Sequence, residues 1–388
     1  MVIKILDLGQ EKIIDIILQE KDCLAIMPTG GGKSICYQIP ALLLPGITIV
    51  ISPLISLMKD QVYTLKKKNI PATYINSSLS IQEYNNIIQN ILNKKYQIVY
   101  ISPERLKNIE FIQVINKISI SMIAIDEAHC ISCWGHNFRK SYLDIPKVLK
   151  FLQKRPIITA FTATATPIVK KDIIKNLNLN NPYISITGFD RENLCFSVIS
   201  NCNKKQFISN YLISHKMDSG IIYCLTRKEV DSLYYYLKSL YFNVTRYHGG
   251  MNEKEKNRNQ NSFILNKHSI MIATNAFGMG IDKPNIRYVI HYNMPKDLES
   301  YYQEAGRAGR DGLKSECFLL FSKSDITLNK YLIENGNKFS NPFNDYLKLN
   351  QIINYCNTQK CLRKYILEYF GEKPKFKHCN NCSNCINS

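Results

Sequence analysis

Acid is scarce in this chain: 31 Asp and Glu stand against 50 Lys and Arg in 388 residues, a formal net charge of +19. That imbalance disfavours a cationic partner and favours a polyanion, of which nucleic acid is the commonest. Charge alone leaves open a basic protein with no such partner. Tryptophan is nearly missing, with Trp134 the single example. A membrane-spanning run is missing as well. The nearest approach, Ile39–Met58, is uncharged but holds Pro40, Pro45 and Pro53. Those breakers split it into a helix end, a buried strand Ile47–Ser52 and a following loop. Met1–Gln10 carries Lys4 and Asp7 and no apolar core, so no signal peptide is expected. A disulfide framework is not indicated either. The 13 cysteines are odd in number and mostly scattered, which suits a reducing compartment. No short-period internal repeat is visible.

What the chain does have is alternation. Short β-branched runs at Ile47–Ile51, Ile98–Ile101, Ser121–Ile125, Ile157–Phe161, Gly220–Tyr223, Ile270–Ala273 and Arg287–His291 are separated by amphipathic stretches such as Ile81–Leu92 and Lys228–Leu240. Strand–helix alternation predicts an α/β fold of parallel sheets covered on both faces. The alternation pauses around Phe189–Asn203, where a domain boundary is expected. After Ser324 the pattern turns helical, at Tyr346–Cys356 and Leu362–Phe370, and ends in a Cys/Asn-rich knot. The expected division is 1–188, 189–325 and 326–388.

Three places carry chemistry. Met27-Pro28-Thr29-Gly30-Gly31-Gly32-Lys33-Ser34 follows the apolar segment Cys23–Met27 and precedes a helical pattern. Consecutive glycines let backbone N–H groups turn around phosphate oxygens. Lys33 reaches the β/γ-phosphates, the Ser34 hydroxyl ligates Mg²⁺, and the helix offers its positive end. Met27 stands where the strict phosphate-loop pattern has glycine, leaving the T-G-x-G-K-S variant typical of helicases.

The second place is the end of the strand Ser121–Ile125, where Asp126-Glu127-Ala128-His129 begins. Ligands of open α/β sheets bind beyond the carboxyl ends of strands, so Asp126 is placed for Mg²⁺ and Glu127 for polarising the attacking water. Such a pair alone is more often a solvated turn; the upstream Lys33 loop favours chemistry. The following run brings His129, Trp134, His136, Phe138 and Arg139 together at spacings of neither helix nor strand. Rings interleaved with cations suit stacking on bases and pairing with phosphates, against the alternative of an aromatic core cluster.

The third place is the tail. Cys379-x-x-Cys382-x-x-Cys385 supplies three thiolates and Cys361 offers a fourth. Four soft ligands suit a closed, structural Zn²⁺. An iron–sulfur cluster also uses such spacing, but the fourth ligand and proline of a ferredoxin run are missing.

With these blocks in order, the sequence resembles the RecQ family of DNA helicases in superfamily 2. The matching runs are MPTGGGKS (27–34), SPLISLMKDQV (52–62), SPERL (102–106), DEAHCISCWGH (126–136), TATAT (162–166), IIYCLTRKEV (221–230), the run 273–312 ending in QEAGRAGRDG, and the cysteine tail with YFGE at 369–372. The resemblance implies two RecA-like parallel-sheet lobes followed by a small helical zinc-binding module. It implies ATP-dependent 3′-to-5′ DNA unwinding with ATP, Mg²⁺ and Zn²⁺, in repair or recombination. It further implies that Gln10 reads adenine, that Asp282 lies near the ribose, and that Gln303, Arg307 and Arg310 serve hydrolysis, the arginines meeting the γ-phosphate from the second lobe. The implied partners are single-stranded and tailed duplex DNA, with single-strand-binding or recombination proteins beside them. A monomer is expected, without membrane association, cytoplasmic at the nucleoid in a bacterium or nuclear in a eukaryote.

The chain departs from the family pattern at Leu6-Asp7, where Phe-Arg is usual, which implies relaxed nucleotide selectivity. Cys133 and Asn137 stand where Gln and Asp are common. The chain stops at Ser388, so a short form without the winged-helix and HRDC domains is expected. Three other readings stay open: a translocase or annealing factor with weak unwinding, an RNA helicase, and a binding protein with a decayed motor.

Overall fold

The structure, a computed structural model, describes residues 6–135, 138–278, 283–335 and 342–386. The chain divides into two compact units, Met1–Gly188 and Phe189–Ser388. In the first, seven strands form one sheet: β1 (Cys23–Ile26), β2 (Ile47–Ile51), β3 (Ala72–Ile75), β4 (Ile98–Ile101), β5 (Ile120–Ile125), β6 (Ile157–Thr162) and β7 (Tyr183–Ile186), in the order β3-β4-β2-β5-β6-β1-β7. Every pairing in it is parallel. β1, β2 and β4 are buried along their whole length, as strands covered on both faces must be. Their cover comes from α1 (Leu8–Leu18), α2 (Lys33–Leu43), α3 (Ile55–Lys67), α4 (Ile81–Leu92), α5 (Ile109–Ile115), α6 (Ile145–Phe151) and α7 (Pro167–Asn176).

Local chemistry accounts for several of these boundaries. Asp7 caps α1 through Gln10, and Ser80 caps α4 through Glu83, each as a reciprocal capping box. A core cluster gathers Ile13, Ile17, Tyr37, Met58, Val62, Tyr100 and Phe161. Burying a side chain of that size contributes roughly 1.5–3 kcal/mol relative to exposure. The loop expected after Ile47–Ser52 is short, because α3 starts at Ile55. Pro53 breaks the chain for only a few residues.

The second unit carries β8 (Leu194–Ser200), β9 (Ser219–Tyr223), β10 (Val244–Tyr247), β11 (Ile270–Ala273), β12 (Ile286–His291) and β13 (Ser315–Phe321), in the parallel order β10-β11-β9-β12-β13-β8. Its helices are α8 (Lys204–Ser214), α9 (Arg227–Ser239), α10 (Glu253–Ile264) and α11 (Leu298–Ala305), then α12 (Lys323–Glu334), α13 (Pro342–Asn357), α14 (Leu362–Tyr369) and the short α15 (Ser383–Ile386). The pause expected across Phe189–Asn203 is filled by β8, an edge strand paired with β13 over seven residues. Its mixed burial and the Cys195 and Ser197 within it leave no continuous β-branched run to mark it in the sequence. Both sheets are of the RecA-like type, and the helical end brings four cysteines together.

Candidate functional site

In the first sheet β1, β6 and β5 are neighbours, so their carboxyl ends lie side by side. β1 runs into the glycine loop, β5 into Asp126-Glu127 and β6 into Thr162-Ala163-Thr164. In the glycine loop Gly30 and Gly32 take φ of 84° and 72°, the left-handed conformation that a Cβ disfavours. Gly32 is the N-cap of α2, and Lys33 and Ser34 form its first turn. The Lys33 ammonium lies inside the loop, 3.2 Å from the Met27 carbonyl and 3.3 Å from that of Pro28. Thr29 and Ser34 are half-buried at the rim. Gln10 reaches the same loop, its amide donating to the Gly31 carbonyl at 3.1 Å. Asp7, which departs from the family pattern, has the local work of capping α1 and tethering Gln10.

Asp126 is 7% exposed, with Ser52 Oγ at 3.4 Å and its own carbonyl bonded by Tyr142. Burial, with Glu127 alongside, pushes its carboxyl up to about 7 against the pull of Lys33. A buried carboxylate so poorly compensated fits a divalent cation, which would favour its charged form. Glu127 is held at φ 48° and ψ 47°, an uncommon conformation for a residue with a side chain. Its carboxylate lies 3.3 Å from His129 Nδ1, and the same nitrogen is 2.8 Å from Thr162 Oγ1. Thr162 Oγ1 in turn donates to the Thr164 carbonyl.

His129, expected on a DNA-facing surface, is 2% exposed and spans from the carboxylate to β6. A side chain that deep cannot stack on a base. Trp134 is half-buried, its backbone N–H donating to Ser132 Oγ, which donates to Asp172 of α7 at 2.6 Å. Phe138 and Arg139 are also half-buried, and Arg139 donates to the Pro53 carbonyl. His136 lies outside the described residues, as does Asp282. Ser52, Tyr142, Thr162, Thr164 and Asp172 were not singled out from the sequence. The SPLISLMKDQV run gave a signal for Ser52 and the TATAT run for Thr162 and Thr164, whereas Asp172 of α7 lies outside every matched run.

In the second unit Gln303 and Arg307 are buried on α11 and just beyond it, and Arg310 is half-buried. The Arg307 guanidinium donates to the Gly278 carbonyl. Gly278 has φ 122°, and a Cβ there would collide with that guanidinium.

At the chain's end the sulfurs of Cys361, Cys379, Cys382 and Cys385 lie within 4.8 Å of one another. Cys382 and Cys361 are 3.9 Å apart at sulfur. Tetrahedral zinc with bonds of about 2.3 Å sets sulfurs on the order of 3.8 Å apart, so the set fits. The Lys364 and Asn381 N–H groups donate to Cys361 and Cys379 sulfurs at 3.4 Å. Burial raises the Cys379 and Cys385 thiols, whereas at Cys382 the same burial is outweighed by hydrogen bonds from the Leu362 and Cys385 backbone and the neighbouring thiols, which pull it below its ordinary value. Donors aimed at sulfur favour the thiolate, the form that binds metal.

Family models match along the chain: DEAD/DEAH box helicase over residues 8–172, helicase conserved C-terminal domain over 203–312, and RecQ zinc-binding over 323–386. The chain is 50% identical to the ATP-dependent DNA helicase RecQ of Bacillus subtilis (strain 168), over 98% of itself and 64% of that protein. It is 40% identical to a putative ATP-dependent RNA helicase of Acanthamoeba polyphaga mimivirus, over 97% of itself and 68% of that protein. The S. cerevisiae Dbp5 structure bound to RNA and ADP BeF3 superimposes with a TM-score of 0.66 at 18% identity, over 90% of this chain and 87% of that one, which speaks to fold alone. The chain spans 60–64% of the length of the first curated RecQ relatives. With the helicase models over both sheets and the RecQ zinc-binding model over the four cysteines, the chain belongs to the RecQ family of helicases.

Proposed function

We propose that the chain is an ATP-driven DNA helicase motor, moving 3′ to 5′ along one strand and separating duplex. The observation that carries this is the juxtaposition of the Lys33 loop, Asp126-Glu127 and Thr162 at three adjacent strand ends in a RecQ-family chain. In this reading the glycine loop and Lys33 hold the phosphates, Gln10 reads the adenine, and Ser34 and Asp126 hold Mg²⁺. Mg²⁺ supplies positive charge to the phosphate oxygens when bound. Glu127 orients the attacking water, His129 fixes the Glu127 carboxylate, and Gln303 with Arg310 serves the γ-phosphoryl group. Arg307, given its bond to the Gly278 carbonyl, holds the backbone at that glycine. Trp134, Phe138 and Arg139 form the DNA-responsive loop. Cys361, Cys379, Cys382 and Cys385 hold a structural Zn²⁺. The proposed domains are 1–188, 189–325 and 326–388.

Single-stranded and tailed duplex DNA are the proposed partners, with single-strand-binding or recombination proteins, and the motor works as a monomer wherever DNA is kept. Among the described residues no helix is long and apolar enough to cross a membrane. RNA is the second reading, favoured by the name of the mimivirus relative. ATP hydrolysis measured with matched single-stranded DNA and RNA separates them. Stimulation by DNA supports the first, and stimulation by RNA alone would replace it with the second.

A further inference from the structure

The segment Phe189–Leu194 faces two ways within the second unit. On one side Arg191 donates to the carbonyls of Gly306, Ala308 and Gly309 at 3.2, 2.9 and 3.0 Å. Asn193 adds bonds to the carbonyls of Gly309 and Leu313 at 2.8 and 2.9 Å. Those oxygens belong to the turn that follows α11, which ends at Ala305. The last carbonyls of a helix lack intrahelical donors, and a cation beside them is favoured by the helix dipole. The same turn bears Arg307 and Arg310. It has no slack: Gly309 sits at φ 56°, and a Cβ there would meet Leu313 O and Ser315 Oγ at 2.8 Å.

On its other side the segment is gripped by the cysteine-bearing end. Asp190 takes two bonds of 2.5 Å from Arg363, which also reaches Glu192 at 3.2 Å. Phe189 stacks on Phe370 with centroids 4.5 Å apart, and its N–H donates to Glu372. Asn381, between Cys379 and Cys382, donates to the carbonyls of Glu192 and Leu194 at 3.0 and 3.2 Å. Arg363 stands two residues beyond Cys361, so the Arg363 and Asn381 grips both start next to the sulfur cluster.

We infer that Phe189–Leu194 is a strap through which the cysteine cluster positions the arginine turn, with Arg191 and Asn193 as positioning residues for ATP hydrolysis. One guanidinium spanning three carbonyls fixes backbone orientation, which a lysine's point charge does less well. The inference rests on the proposal that Arg310, carried by this turn, serves hydrolysis.

The test uses the full zinc-loaded chain with saturating single-stranded DNA. Arg191→Gln is expected to lower kcat about 10²-fold through misplacement of the turn. Affinity for a fluorescent ATP analogue, zinc content and Tm should stay near parental. Arg191→Lys should recover part of the loss, and Asn193→Ala and Arg363→Gln should lower kcat in the same direction by less. Arg310→Ala, made in parallel, tests the reading beneath: parental turnover there defeats that reading. Loss in Arg310→Ala with parental kcat in Arg191→Gln overturns the strap alone. If Arg191→Gln fails to fold, Asn193→Ala decides, since unchanged kcat in that variant overturns the strap equally.

Discussion

At the scale of the residue, Glu127 shows what the site asks of its backbone. A left-handed conformation at a non-glycine residue costs roughly 1–2 kcal/mol. It brings this carboxylate to buried His129, which leads on to Thr162. The sequence made Asp126 and Glu127 legible, because an apolar strand ending in two acids has a plain meaning. It did not reveal the burial of His129, since Thr162 lies 33 residues further along the chain. We expect Lys33→Ala to weaken nucleotide binding, measured by titration of a fluorescent ATP analogue. Glu127→Gln should keep nucleotide binding and lose hydrolysis. Arg310→Ala should lose about 10³-fold or more in turnover, as finger arginines do. Parental turnover in Arg310→Ala would remove that arginine from the reaction.

Elements were legible in proportion to their periodicity and length. Ile81–Leu92 carries both a helical period and the Ser80–Glu83 box, and its observed bounds are the expected ones. Ala72–Ile75 and Tyr183–Ile186 carry Thr73 and Ser185 inside four-residue strands at the two edges of the sheet, so they lack the unbroken apolar run that marks the equally short Ile98–Ile101 and Ile270–Ala273. The aromatic loop is an element of another kind, fastened by Ser132 to Asp172 and by Arg139 to the Pro53 carbonyl. Those anchors do not need the Trp134 ring. Trp134→Ala is therefore expected to keep basal ATPase and Tm while blunting stimulation by single-stranded DNA; a lost stacking platform costs about 1–3 kcal/mol. A large fall in Tm with a normal stimulation ratio would instead make the ring a core residue. In the cysteine cluster, Cys382→Ser should bring zinc content below one per chain and open the tail to protease, since metal binding supplies the order of such a polar segment. Zinc-free parental protein, or visible absorbance from iron and sulfide, would contradict the metal assignment.

For the whole molecule, the charge excess that first suggested a polyanion has a measurable consequence. Lys and Arg contacts to phosphate release counterions, so log affinity for single-stranded DNA should fall steeply with log salt. A slope near zero would rule out a groove that tracks phosphates. Parallel strands and phosphate chemistry were visible from alternation and glycine spacing; the links from Phe189–Leu194 to the arginine turn and the cysteines were not. Most of them join carbonyls to side chains more than a hundred residues apart, and a carbonyl has no letter in a sequence. The central claim, a motor that spends ATP to separate DNA strands, is tested most directly by strand displacement on duplexes carrying a 3′ or a 5′ single-stranded tail. Displacement of the 3′-tailed duplex that requires ATP and Mg²⁺, and is lost in Glu127→Gln, is the expected result. ATP hydrolysis stimulated by the same DNA without displacement of either duplex would contradict it.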